Sequence, residues 1–161
     1  MYRIDENTYI DESLITCAEY QLFIDEMLMQ GKYVQPYHWV SYQFPSGHGR
    51  HPILGVYASD AEAFCNWLSL SDTGEWHYRL PVSVEAKQFP IKDSSKTPVG
   101  YWIIGEEGKF QFTWIGNEPL DAKILESTEG KSDENRSLEN KRRDIRSYVF
   151  EGIRIVKERV R

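Results

Sequence analysis

Apolar residues recur at helical spacing in two stretches of the first half of the chain and run in short, strand-like clusters through the second. Tyr20, Phe23, Ile24, Met27 and Leu28 keep the i, i+3, i+4, i+7, i+8 order of one buried helix face. Thr16 and Glu19 form a T-x-x-E capping box at its start, and Gly31 is a natural C-terminal stop. A second helix is predicted to open at Ser59, with Glu62 completing another capping box, and to bury Phe64, Trp67 and Leu68 before Gly74 breaks it. On that reading Trp67 is a core aromatic whose removal costs about 3–5 kcal/mol. A short third helix is expected over residues 82–88, ending before Pro90.

Strand-like segments surround these helices. Tyr9-Ile10-Asp11 reads as an edge strand leading toward Leu14 and Ile15. Ile53, Leu54, Val56 and Tyr57 read as a short buried strand, and Tyr78 to Pro81 as the end of another. Tyr101–Ile104 and Phe110–Ile115 are β-prone and joined by Glu106-Glu107-Gly108-Lys109, a hairpin turn. A further short strand is expected from Ala122 to Leu125, and closing strands at Tyr148–Phe150 and Gly152–Val156. Residues 126–140 are rich in Ser, Glu and Lys and are expected to form a mobile loop. The long stretch from Lys32 to Arg50 suits a compact domain only if it packs through its own aromatics. Helices early and strands late predict an α+β fold, and 161 residues suit a single domain spanning 1–161.

Charge changes this picture at one end. Residues 136–161 carry nine Lys/Arg against four Asp/Glu, leaving −11 for the rest of a chain whose net charge is −6. An acidic body argues against nucleic-acid binding, which needs clustered positive charge. The basic run, with Arg142, Arg143 and Arg146 at its centre, fits an acidic protein or peptide partner; as a solvated face paired with the protein's own carboxylates it does nothing. No apolar run approaches the roughly 18–20 residues that span a bilayer. The acidic start MYRIDENTYIDES is unlike a secretory leader, so a cytoplasmic location and no membrane partner are expected. Cys17 and Cys65 both fall in helical patterns with apolar neighbours, where free thiols serve as small core residues.

The segment GRHPILGVYASDAEAFCNWLSLSDTGEWHYRLP, residues 49–81, carries a resemblance. His51-Pro52-Ile53, Asp60-Ala61, Cys65-Asn66-Trp67-Leu68 and Arg79-Leu80-Pro81 stand in the order and spacing of the formylglycine-generating, sulfatase-modifying-factor superfamily. Ile10-Asp11, Ile15-Thr16, Tyr20, Phe23, Pro36 and Trp39 match its opening, and Gly152-Ile153-Arg154 resembles its terminal Gly-Phe-Arg. The resemblance implies a C-type-lectin-like fold. Where such domains usually read Thr-Glu-Ala-Glu-Trp-Glu after Arg-Leu-Pro, this chain has Val82-Ser83-Val84-Glu85-Ala86-Lys87. Formylglycine-generating members hold copper with two C-terminal cysteines, yet no Cys follows Cys65. The iron-ligand arrangement of the sulfur-oxidising relatives and an Arg-Gly-Gly-Ser-Trp block are missing as well. No metal or other cofactor is therefore expected, and the resemblance implies a binding module of the kind found beside bacterial signalling and defence proteins. A formylglycine-type oxidase acting on a peptide, or the variable ligand-binding protein of a diversity-generating retroelement, are the alternatives.

The chemistry-bearing residues support no catalytic set. His48-x-x-His51 is the nearest approach to a metal pair, with His51 accounted for by the His-Pro word. Asn117, Glu118 and Asp121 supply too few oxygens for a calcium that wants six to eight. Tyr101, Trp102, Phe110, Phe112 and Trp114 alternate in part, so one ring face is core and the other is free to bind. Trp102, Trp114, Asn117 and Glu118, together with Arg142, Arg143 and Arg146, are the binding residues this reading selects.

Overall fold

A computed structural model describes residues 1–92, 97–116 and 150–160. The expected strand at 122–125, the loop at 126–140, Tyr148 and Val149 lie outside these residues.

Among the described residues the first sheet has four short antiparallel strands, in the order β1, β2, β7, β3: β1 at Tyr2–Arg3, β2 at Thr8–Ile10, β3 at Trp76–Arg79 and β7 at Val156–Arg159. β1 occupies the edge, so the strand at Tyr9 lies inside the sheet and is not the edge that its sequence suggests. The second sheet sets β4 (Gly100–Ile104) between antiparallel β5 (Phe110–Trp114) and parallel β6 (Glu151–Gly152). The turn between β4 and β5 is a short 3₁₀ turn at Glu106–Gly108, with Glu107 in the left-handed region at φ 61°.

Helix α1, Cys17–Met29, starts on the expected capping box. The Glu19 amide donates to the Thr16 hydroxyl at 3.3 Å, and the Glu19 carboxylate takes the Thr16 amide at 2.7 Å. α1 ends at Gln30 and Gly31, the latter at φ 72°. α2, Ala58–Ser71, begins two residues earlier than a cap at Ser59 predicts. Tyr57 stands at the cap with no side-chain hydrogen bond, and Asp60 supplies the negative charge of the first turn. α3, Ser83–Gln88, gains half a capping box: the Glu85 carboxylate takes the Val82 amide at 2.8 Å.

Tyr20, Phe23, Ile24, Phe64 and Cys65 meet with Ile15, Ile53, Val56, Leu80 and Ile153 in the main core. Rings of Tyr20, Phe23, Phe64 and Trp67 contact one another with centroids 5.3–5.7 Å apart. The run at Ile53 to Tyr57 is not a ladder strand. Ile53 and Val56 are buried, but their amides donate singly to Ile15 and Glu151, so the segment is an extended strap. The long loop after α1 does pack through its own rings: Trp39 and Phe44 lie against the core, and Tyr33 stacks on Tyr42.

Gly152 to Val156 is likewise no single strand. β6 ends at Gly152 and the chain crosses between sheets, with Ile15 donating to the Ile153 carbonyl and Asp11 to the Ile155 carbonyl, before β7 begins. A Cβ on Gly152 would stand 2.9 Å from the Gly100 carbonyl oxygen and 2.9 Å from Leu14, which is why this crossing carries glycine. Arg154, at the middle of the crossing, is fully buried. It donates to the carbonyls of Asp11 (2.7 Å) and Phe89 (2.6 Å) and to the Tyr101 hydroxyl (3.0 Å). One guanidinium thus binds the end of β2, the end of α3 and the middle of β4.

Arg79 does similar work nearer the surface, forking onto Glu85 at 2.7 and 2.8 Å and reaching Glu158 of β7. Burial alone would raise the Glu85 carboxyl, but Arg79 and the Val82 amide hold it below its ordinary value.

Asp11 is one pH-sensitive point of the fold. Burial, with the charge of Glu19 adding to it, pushes its carboxyl from 3.8 up to about 6. The folded chain therefore holds this proton more tightly than the unfolded one, and the contribution of Asp11 to stability is lost as pH rises from about 4 through about 6. Asp11→Asn should flatten that slope. Melting temperatures of both proteins across this range provide the check, and parallel curves would refute the assignment.

Candidate binding site

Residues paired in register share a sheet face, so Gly100, Trp102, Phe112, Trp114 and Glu151 lie on one side of β4, β5 and β6. That face is paved with rings. Phe112 meets Trp102 at 5.6 Å, Trp114 at 4.9 Å and Phe150 at 5.3 Å, and Trp114 meets Phe150 at 4.9 Å. The paving needs Gly100, because a Cβ there would stand 2.4 Å from the Phe112 ring and 2.2 Å from the Thr113 carbonyl oxygen.

Glu151 lies on this face, 8% exposed. Its main-chain carbonyl accepts the amides of Gly55 (2.9 Å) and Val56 (3.2 Å), tying β6 to the strap that precedes α2. Its carboxylate accepts the phenol O–H of Tyr37 at 2.7 Å. Tyr37 is itself held by its amide, which donates to Gly55, and its ring packs against Tyr57 at 5.6 Å and His38 at 5.8 Å. Desolvation in this packing keeps the His38 imidazole below its usual pKa. Trp102 joins the two halves by donating its indole N–H to the Val56 carbonyl at 2.8 Å. Tyr57, 43% exposed, and His38 are exposed rings of the cluster.

The structure brings together Trp102 and Trp114 of the residues singled out from the sequence. Both are half-buried, and the polar edge of Trp102 is spent on the backbone, so Trp102 is as much a brace as a contact. Asn117, Glu118, Asp121, Arg142, Arg143 and Arg146 lie outside the described residues. Glu151, Tyr37 and Tyr57 went unselected. The sequence signal for Glu151 is an acidic residue between Phe150 and Gly152 in the apolar run Tyr148 to Val156, whose other charge is Arg154. Tyr37 carries no comparable mark.

Elsewhere, His48 and His51 face each other across an exposed turn with ring centroids 4.5 Å apart. Among the described residues no third His, Cys, Asp or Glu joins them, or any other group, as a metal set. Both thiols sit in the main core, on different helices. Burial raises Cys17 and pushes Cys65 up to about 12, with Glu62 adding to the latter and Arg79 opposing it. Cys17 makes its polar contact with the Pro52 carbonyl at 3.6 Å.

Residues 2–89 match the model of the sulfatase-modifying factor enzyme 1-like domain, more than half of the chain. The chain belongs to this family. No curated protein and no solved structure matches it. Among the described residues three helices and two sheets form an α+β fold, consistent with a C-type-lectin-like domain. The match to the sulfatase-modifying factor domain runs from β1 to the end of α3. It therefore includes Tyr37 and Tyr57 but stops short of the ring-paved sheet and Glu151. Cys17 and Cys65 lie buried on α1 and α2, and no cysteine follows Cys65 in the sequence.

Proposed function

We propose that this domain recognises a protein or peptide partner and performs no chemistry on it, in the cytoplasm of a bacterium. The observation that carries the reading is the ring-paved face around Glu151, built where the family's matched scaffold ends. Aromatic side chains offer large contact area at low entropic cost and are enriched at binding hot spots. Trp102 ties this face to the main core and to the Val56 carbonyl, giving it the support of the scaffold that carries it. The sequence adds support, since it lacks the C-terminal cysteine pair with which oxidising relatives bind copper, and the two thiols it does carry are buried. Among the described residues no helix is long and apolar enough to cross a membrane.

Two measurements test it. Chain loaded with copper and incubated with a peptide carrying Cys-x-Pro-x-Arg should yield no aldehyde by mass spectrometry; turnover with one copper per chain would overturn the reading. A partner captured by the wild-type chain should bind Trp114→Ala at least about tenfold more weakly, the loss expected of a hot-spot ring. Unchanged affinity would remove this face from the binding surface.

A further inference from the structure

We infer that the Glu151 carboxylate and the adjoining Tyr57 ring hold an arginine side chain presented by the partner. This rests on the recognition reading and names the chemistry of its central contact.

A carboxylate taken out of water requires hydrogen bonds and an opposite charge. Tyr37 supplies a hydrogen bond to one oxygen of Glu151. Among the described residues no opposite charge is supplied: their ion pairs join Arg79 to Glu85 and Glu158, Lys109 to Glu107, and the N-terminus to Glu12. Arg154, three residues along the chain, is buried against the carbonyls of Asp11 and Phe89 and the Tyr101 hydroxyl. The register also separates them, because Tyr101 faces the opposite side of β4 from Gly100 and Glu151. Glu151 is thus a buried carboxyl group beside aromatic surfaces, with no cationic partner among the described residues.

Those surfaces favour a cation as well. The face of a tyrosine or tryptophan ring carries negative potential and attracts guanidinium and ammonium groups. Tyr57 offers an exposed ring, with Tyr37 tilted against it and leading inward to the carboxylate. A planar guanidinium stacks on a ring and donates edge-on to a carboxylate at once, which an ammonium does not. Arginine is therefore the side chain that this arrangement fits.

The test uses the full chain and two small probes, Nα-acetyl-arginine methylamide and its neutral isostere Nα-acetyl-citrulline methylamide. Binding is followed by the NMR signal of the Trp102 indole N–H, which lies between the two halves of the cluster. The arginine probe should shift that signal saturably, with citrulline at least about tenfold weaker, as expected for loss of a charge-assisted hydrogen bond. Glu151→Gln should weaken the arginine probe by a similar factor. Tyr57→Leu, an exposed change that leaves the carboxylate in place, should also weaken it and serves where Glu151→Gln fails to fold. Equal response to both probes, no response to arginine, or unaltered arginine binding by Glu151→Gln would overturn the inference. If these probes fail while wild-type chain still captures a partner through Trp114, the recognition reading stands without the arginine. If arginine binds while partner capture is indifferent to Trp114, the larger reading fails on its own.

Discussion

Arg154→Met should be the most damaging single change in this chain, lowering stability by about 3–5 kcal/mol, a large share of the 5–15 kcal/mol available to a domain of this kind. The substitution keeps much of the side chain's length and apolar stem. It strands three buried acceptors: the Asp11 carbonyl, the Phe89 carbonyl and the Tyr101 hydroxyl. Each lost partner costs roughly 1–3 kcal/mol when water cannot replace it, offset in part by relief from burying the guanidinium charge. The three groups belong to β2, the end of α3 and β4, so their release loosens both sheets together. Arg154→Lys keeps the charge but not the fork, and should fall between the two proteins. Urea unfolding followed by tryptophan fluorescence measures all three, and an Arg154→Met midpoint matching wild type would dismiss the bracing role.

Phe64→Ala is expected to follow closely, at about 3–5 kcal/mol for a buried Phe emptied to a cavity. Phe64 is 1% exposed and touches the rings of Tyr20, Phe23 and Trp67, so the void opens where α1 meets α2. Tyr20 and Phe23 are themselves buried in the main core and have little room to collapse inward. Trp67, which its sequence position makes the obvious core aromatic, should cost less. It is only half-buried, and its indole N–H reaches out to Glu26 at 2.6 Å. A truncated Trp67 leaves a groove that water can enter and an acceptor that water can satisfy, for a loss of about 1–3 kcal/mol. Parallel unfolding curves decide the order. If Trp67→Ala is the more destabilised protein, the core is centred differently from this account.

The difference between these two aromatics shows where sequence reasoning loses its grip. Phe64 and Trp67 are one helical step apart and both match the apolar stripe of α2. Which one faces the centre depends on how α2 rotates against α1 and β3, and the stripe is wide enough to allow either. The second capping box failed for a related reason. Ser59 and Glu62 have the right spacing, but α2 starts at Ala58 because the strap before it is pinned at Gly55 and Val56 by Glu151 of β6, nearly a hundred residues away. The first capping box succeeded because its two hydrogen bonds are local and nothing distant competes with them.

The candidate site divides along the same line. Trp102 and Trp114 were visible because strand alternation marks one face of a hairpin. Glu151 was visible only as an odd charge in an apolar run, and neither Tyr37 nor Tyr57 carried any mark. Their neighbourhood comes from a parallel pairing of β4 with β6 and from a loop folding back across both.

Local order in the amino acids was enough to establish the α+β class, two of the helix boundaries, the β4–β5 hairpin and the family words around His51-Pro52 and Arg79-Leu80-Pro81. Those features rest on interactions among residues near one another in the chain, whose spacing is itself the physical constraint. Only the tertiary structure decided that the final strand-like run breaks at Ile153 and crosses between sheets. It also decided that Arg154 is buried as a three-way brace, and that Glu151 meets Tyr37 across 114 residues. Such contacts depend on how separate elements pack, and no periodicity within a single element encodes that.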